Sequence, residues 1–87
     1  MADMKNLHLE IITPEEVFYS GEASMVEFNT TEGEIGIYPG HIPLTVIVAP
    51  GTLRIHGSES KEADLISGFA EILQEKITIL AEEISWK

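Results

Sequence analysis

The chain has 87 residues, 44% of them hydrophobic, no cysteine, and fifteen acidic against five basic residues, giving a formal net charge of −10. That size allows one domain with a thin core and little room for a deep catalytic cleft, and the lack of cysteine excludes disulfide and Cys-ligated zinc scaffolds. The charge disfavours nucleic acid and anionic lipid as partners and favours a partner with a basic face.

The opening stretch Met1-Ala2-Asp3-Met4-Lys5 carries neither an apolar leader core nor an Arg-rich amphipathic pattern. Over residues 6–12, Leu7, Leu9 and Ile11 alternate with His8 and Glu10, the period-two signature of a half-buried strand. Thr13-Pro14-Glu15 then signals a turn, as does Ser20-Gly21-Glu22. Residues 24–30 alternate again, with Val26 and Phe28 against Glu27 and Asn29, up to a turn at Thr31-Glu32-Gly33. Residues 44–48 form a short apolar run, and Val46-Ile47-Val48-Ala49-Pro50 is the longest in the chain. A bilayer span needs ~20 such residues, so no direct membrane insertion is expected. After Pro50-Gly51, Leu53 and Ile55 alternate with Arg54 and His56. Residues 63–66 are of strand length, Ser67-Gly68 reads as a turn, and Ile77 and Ile79 flank Thr78. No stretch sustains a helical period beyond a single turn near Pro14. Many short strands with regular turns predict an all-β sandwich or barrel.

The phase of these strands predicts a core of Leu7, Leu9, Val26, Phe28, Leu53, Ile55, Ala70, Ile72, Ile77 and Ile79. The opposite faces still carry Ile12, Met25, Ile66, Leu73 and Leu80, where a lone sandwich would show mainly polar residues. Either a bulge shifts the phase or one sheet bears an apolar docking patch.

Chemistry-bearing constellations are scarce. His8, His41 and His56 share no metal-ligand spacing, and no nucleophile elbow, phosphate-binding glycine loop or HExxH occurs. No cofactor, metal site or enzymatic activity is expected. The unusual segment is residues 33–44, where glycines and prolines alternate with large apolar residues. Such a segment is rigid and shaped. It is expected to present Glu34, Ile37, Tyr38 and His41 from a loop, or else to form a corner plugged by Ile35 and Ile37.

Glu32-Gly33-Glu34-Ile35-Gly36-Ile37-Tyr38-Pro39-Gly40-His41-Ile42-Pro43-Leu44 closely resembles the signature of the epsilon subunit of F-type ATP synthases, called delta in mitochondria. Leu7 to Glu15, Tyr19 to Ala23, Pro50 to Ile55, Ile66 to Ile72 and Ile77 to Ala81 resemble that family in order, so the likeness spans the chain. It implies a flattened β-sandwich of about ten strands in two sheets, forming a single N-terminal domain over residues 1–87. It further implies a non-catalytic rotor subunit of the central stalk. That subunit docks on the gamma subunit and on the polar loops of the c-ring, and couples ion flow to ATP synthesis. Gly33, Glu34 and Ile35 are then expected to face the c-ring, and His41, Ile42, Pro43, Val46 and Ser67 to face gamma. The complex would hold the chain peripherally at the cytoplasmic face of a bacterial plasma membrane. Two residues depart from the family pattern: Thr45 replaces a common apolar residue, and Phe69 replaces a common second glycine. Full-size members continue into a two-helix C-terminal domain, beginning about where Trp86-Lys87 stand, so inhibition and ATP binding by that domain are not expected of this chain. The alternatives are a free-standing sandwich that binds a ligand or peptide and a His-based metalloenzyme. The first would need an aromatic-lined groove, and Phe18, Tyr19, Phe28, Tyr38, Phe69 and Trp86 show no shared strand spacing.

Overall fold

The alternation becomes eight strands. The computed structural model describes residues 6–87, so the leader reading of residues 1–5 lies outside the described residues. In chain order the strands are β1 (Leu7–Ile12), β2 (Val17–Ala23), β3 (Met25–Thr30), β4 (Gly33–Ile37), β5 (Leu44–Ile47), β6 (Gly51–His56), β7 (Lys61–Ile72) and β8 (Lys76–Trp86). No helix among these residues is long and apolar enough to cross a membrane.

The strands form one sheet in the order β2-β1-β8-β7-β6-β3-β4, with β5 added to β7. That sheet folds over on itself because β7 and β8, of 12 and 11 residues, are long enough to serve two layers. The second half of β7 pairs with β5 (Val46 opposite Ala70) and its first half with β6 (Leu53 opposite Ala63). The first half of β8 runs parallel to β1 (Ile11 opposite Ile79), while its second half stays with the start of β7 (Ala63 opposite Trp86). One layer is therefore β2-β1-β8-β7-β5 and the other β4-β3-β6-β7-β8. With β7 and β8 used twice, the eight elements supply the roughly ten strand segments that the family resemblance implied.

The hinge of this arrangement corrects one sequence expectation. Ser67-Gly68 is not a turn between strands but a bulge inside β7, where the register against β8 shifts on both sides of Ser67. Gly68 has φ +142°, and a Cβ there would overlap the Leu80 carbonyl oxygen. Glycine lets the backbones approach while both strands bend from one layer to the other. Ser20-Gly21-Glu22 is likewise no turn. Gly21 sits within β2 opposite Leu9, and its missing side chain makes room for the Tyr19 ring, whose hydroxyl would lie 2.7 Å from a Cβ at that position.

All ten residues expected in the core are buried, and they are joined by Ile11, Ala23, Ile37, Val48, Ala63, Leu65 and Ala81. These side chains form one cluster between the layers. The side chains at one open edge close the sandwich. A register shift between Ile11 and Ile12 leaves Phe18 as an extra residue in β2, so Phe18 and Tyr19 both pack against the core. Trp86, at the edge of the other layer, stacks on Phe18 with ring centroids 4.7 Å apart and meets Tyr19 edge-on at 5.7 Å. Aromatics with no common spacing in sequence thus converge, as a seal across the edge and not as a ligand groove. Replacing Trp86 by Ala should lower stability by about 1–3 kcal/mol, with Phe partly restoring it, as read from urea midpoints by circular dichroism.

Candidate docking faces

Sheet pleating divides each layer into an inner and an outer row of side chains. On the outer face of the β2-β1-β8-β7-β5 layer, Val17, Ile12, Leu80, Phe69 and Ile47 stand opposite one another in turn, one from each strand. Ile47 is 62% exposed, Val17 55%, Phe69 46% and Leu80 38%. Beside this row a cleft of about 400 Å³ is lined by Ile12, Pro14, Phe69, Leu80, Ala81 and Glu82, among others. The next row across the same strands is polar: Thr45, Glu71, Thr78, Glu10 and Ser20. The apolar row is therefore a bounded stripe on one half of a mixed face. Ile12 and Leu80 belong to the out-of-phase apolar residues singled out in the sequence. Phe69 and Ile47 were missed there, although the inward phase of Ala70 and Ile72, and of Val46 and Val48, already turns them outward.

The expected c-ring residues lie elsewhere on the molecule. Gly33, Glu34 and Ile35 are not in a loop but open β4, the edge strand of the second layer. The hairpin that presents them is fixed by Thr30, whose hydroxyl donates to the Gly33 carbonyl (2.7 Å) and accepts from the Glu32 N–H (3.1 Å). Ile37 is fully buried and Ile35 packs partly against the core, so of the two expected arrangements these residues follow the inward, plugging one and not presentation from a loop. The alternation of β4 with β3 decides this, since Ile37 stands opposite Val26 and Ile35 opposite Phe28. Glu34 is exposed, with its carboxylate 3.8 Å from the Arg54 guanidinium. The N–H of Thr31 donates to the Ile47 carbonyl (3.0 Å), so the Glu34 hairpin and the end of the apolar stripe meet at one corner. Gly33 to Ile35 and Leu44 to Ile47 line a second cleft, of about 380 Å³, between the two edge strands there.

The residues expected to face gamma are not brought to one point. Ser67 lies in the β7 bulge, two positions from Phe69. His41, Ile42 and Pro43 precede β5 at its opposite end, beside the β7–β8 hairpin, where the Gly40 N–H donates to the Gln74 carbonyl (2.7 Å). Ile42 is 72% exposed. Val46 points inward and packs against the core. These residues bracket the β5–β7 side of the layer that carries the stripe.

The histidines do not converge. His8 Nδ1 lies 3.0 Å from Glu22, His56 Nε2 lies 2.7 Å from Glu27, and His41 Nδ1 lies 2.7 Å from the Ile42 carbonyl. Among the described residues no group of three or more His, Cys, Asp or Glu is placed to hold a metal ion.

The sandwich thus presents an apolar stripe on one layer and an acidic residue, Glu34, on the edge hairpin of the other. Residues 6–87 match the family model described as the β-sandwich domain of the ATP synthase delta/epsilon chain. The chain belongs to that family. The ATP synthase epsilon chain of Thermobifida fusca is 45% identical over 87 residues, covering 94% of this chain and 64% of that protein. The epsilon chain of Frankia casuarinae is 38% identical over 78 residues, covering 87% of this chain and 92% of that protein. The chain thus spans under two thirds of the first relative and nearly all of the second. Among solved structures, a chain of the Euglena gracilis mitochondrial ATP synthase (OSCP/F1/c-ring, rotational state 1) superposes with a TM-score of 0.87 at 21% identity, over 94% of this chain and 54% of that one. That likeness shows a shared fold.

Proposed function

We propose that this chain is a non-catalytic rotor subunit of an F-type ATP synthase, docked on the gamma subunit and on the polar loops of the c-ring. The observation that carries the reading is the five-residue apolar stripe crossing every strand of one layer. A stripe of this kind, bordered by a polar row, has the layout of a protein interface with an apolar core and polar rim. We assign the stripe, with Ser67 and the His41–Ile42–Pro43 corner at its borders, to gamma. Gly33, Glu34 and Ile35 are assigned to the c-ring, where the acidic surface suits cationic loops. Membership of a family whose relatives are ATP synthase epsilon chains supports both assignments, as does the central-stalk and c-ring setting named for a structural neighbour from Tetrahymena thermophila. The mechanism is mechanical: the subunit turns with the rotor and carries load between gamma and the ring, and so is peripheral to the membrane, at the cytoplasmic face in a bacterium. It supplies no chemistry of its own.

The test is reconstitution. Added to an ATP synthase depleted of its epsilon subunit, the chain should bind gamma stoichiometrically and restore ion pumping coupled to ATP turnover. Failure to bind gamma would overturn the assignment. The Glu34→Lys variant should still fold and bind gamma but attach to the c-ring about tenfold or more weakly, because it sets like charge against like. Unchanged c-ring attachment would remove Glu34 from that contact.

A further inference from the structure

Arg54 lies at the centre of β6, on the outer face of the second layer, among three carboxylates. Its ladder partner toward β3 is Glu27, and toward β7 it is Glu62. Glu27 is already engaged by His56 at 2.7 Å. The guanidinium therefore turns to the other two: Nε donates to Glu62 at 3.3 Å, and a terminal nitrogen reaches across β3 to Glu34 at 3.8 Å. The Glu62 contact is a hydrogen bond, whereas the Glu34 contact is only a loose ion pair. The looser partner is the carboxylate assigned above to docking.

We infer that Arg54 is an internal counter-ion that positions Glu34 in the free subunit and yields it to a cation of the docking partner, falling back on Glu62. This deepens the proposed c-ring contact and rests on that reading. Both ends of the Arg54–Glu34 pair are about half exposed (43% and 59%). Such a pair is weak enough to be exchanged. Arg54 therefore competes with the partner for Glu34, and Glu62 lessens the competition by holding Arg54 when Glu34 leaves. Two oppositely signed effects follow. Removing Arg54 frees Glu34 and adds net negative charge, so docking tightens and its salt dependence steepens. Removing Glu62 leaves Arg54 with Glu34 alone, so docking weakens. A merely structural role for Arg54 would move both in the same direction.

The experiment measures binding of the chain, in complex with gamma, to purified c-ring at low and high salt. Arg54→Gln should tighten binding about two- to fivefold at low salt. Glu62→Gln should weaken it by a similar factor, and Glu34→Gln should weaken it and abolish the gain from Arg54→Gln in the double variant. Thermal melting confirms that each variant is folded; were Arg54→Gln not to fold, Glu62→Gln decides by whether its weakening disappears in the Glu34→Gln background, where a mere net-charge effect would persist. If Glu34→Gln weakens binding while Arg54→Gln leaves it unchanged or weaker, or while Glu62→Gln does not weaken it, the counter-ion role is overturned and the c-ring reading stands. If Glu34→Gln has no effect, both fall.

Discussion

Replacing Gly68 with alanine should cost the fold about 3–5 kcal/mol, a large share of the roughly 5–10 kcal/mol that holds together a domain of this size. The backbone at Gly68 adopts φ +142°, and a methyl group there would overlap the Leu80 carbonyl oxygen and stand 3.0 Å from the Ala81 Cα. Neither neighbour is a flexible side-chain tip that could swing away. Relief would have to come from separating β7 from β8 at the point where both strands pass between layers. The loss should appear as a sharply lowered urea midpoint. An unfolding free energy within about 1 kcal/mol of the native one would show that the bulge can relax and that its glycine is incidental.

The second large effect concerns binding and not folding. Phe69→Asp puts a charge within the apolar stripe, between Leu80 and Ile47. Because Phe69 faces outward and is 46% exposed, the unfolding free energy read from urea titration should move by no more than about 1 kcal/mol. Association with gamma should nevertheless weaken by about 30-fold or more, the size expected when an aromatic anchor is lost and an unpaired charge is buried in its place. Val17→Asp, at the far end of the stripe, should have a smaller effect. Equal and small effects at both positions in a gamma-binding titration would place the gamma contact elsewhere.

The fold was legible where burial enforces strict alternation. Leu7, Leu9 and Ile11, or Val26 and Phe28, can sit inside only if their neighbours sit outside, and the pattern survives in any register. It failed where a residue type has two uses. Gly21 and Gly68 read as turns because glycine commonly marks turns, yet here one makes room for the Tyr19 ring of its own strand and the other for a strand bend. Residues 33–37 read as loop because their glycines hid a strand whose inward residues, Ile35 and Ile37, are supplied with partners only by β3. The docking stripe was half visible. Ile12 and Leu80 stood out as apolar residues in a polar phase, but nothing in the linear order says that β1 and β8 run side by side in parallel, or that β5 adds Ile47 to the same row. The Arg54 cluster was not legible at all, since residues 34, 54 and 62 meet only through three ladders.

Sandwiches assembled from two separate sheets have a seam: the layers touch through side chains alone and can shear along that plane. Here β7 and β8 run from one layer into the other, so main-chain bonds and ladder hydrogen bonds cross the would-be seam. A twisting load entering at the stripe on one layer and leaving at the Glu34 hairpin on the other is carried by continuous backbone, and would have to stretch covalent chain before the layers could slip. In the rotor position proposed above, that would make the body behave as a solid coupling rather than a clutch.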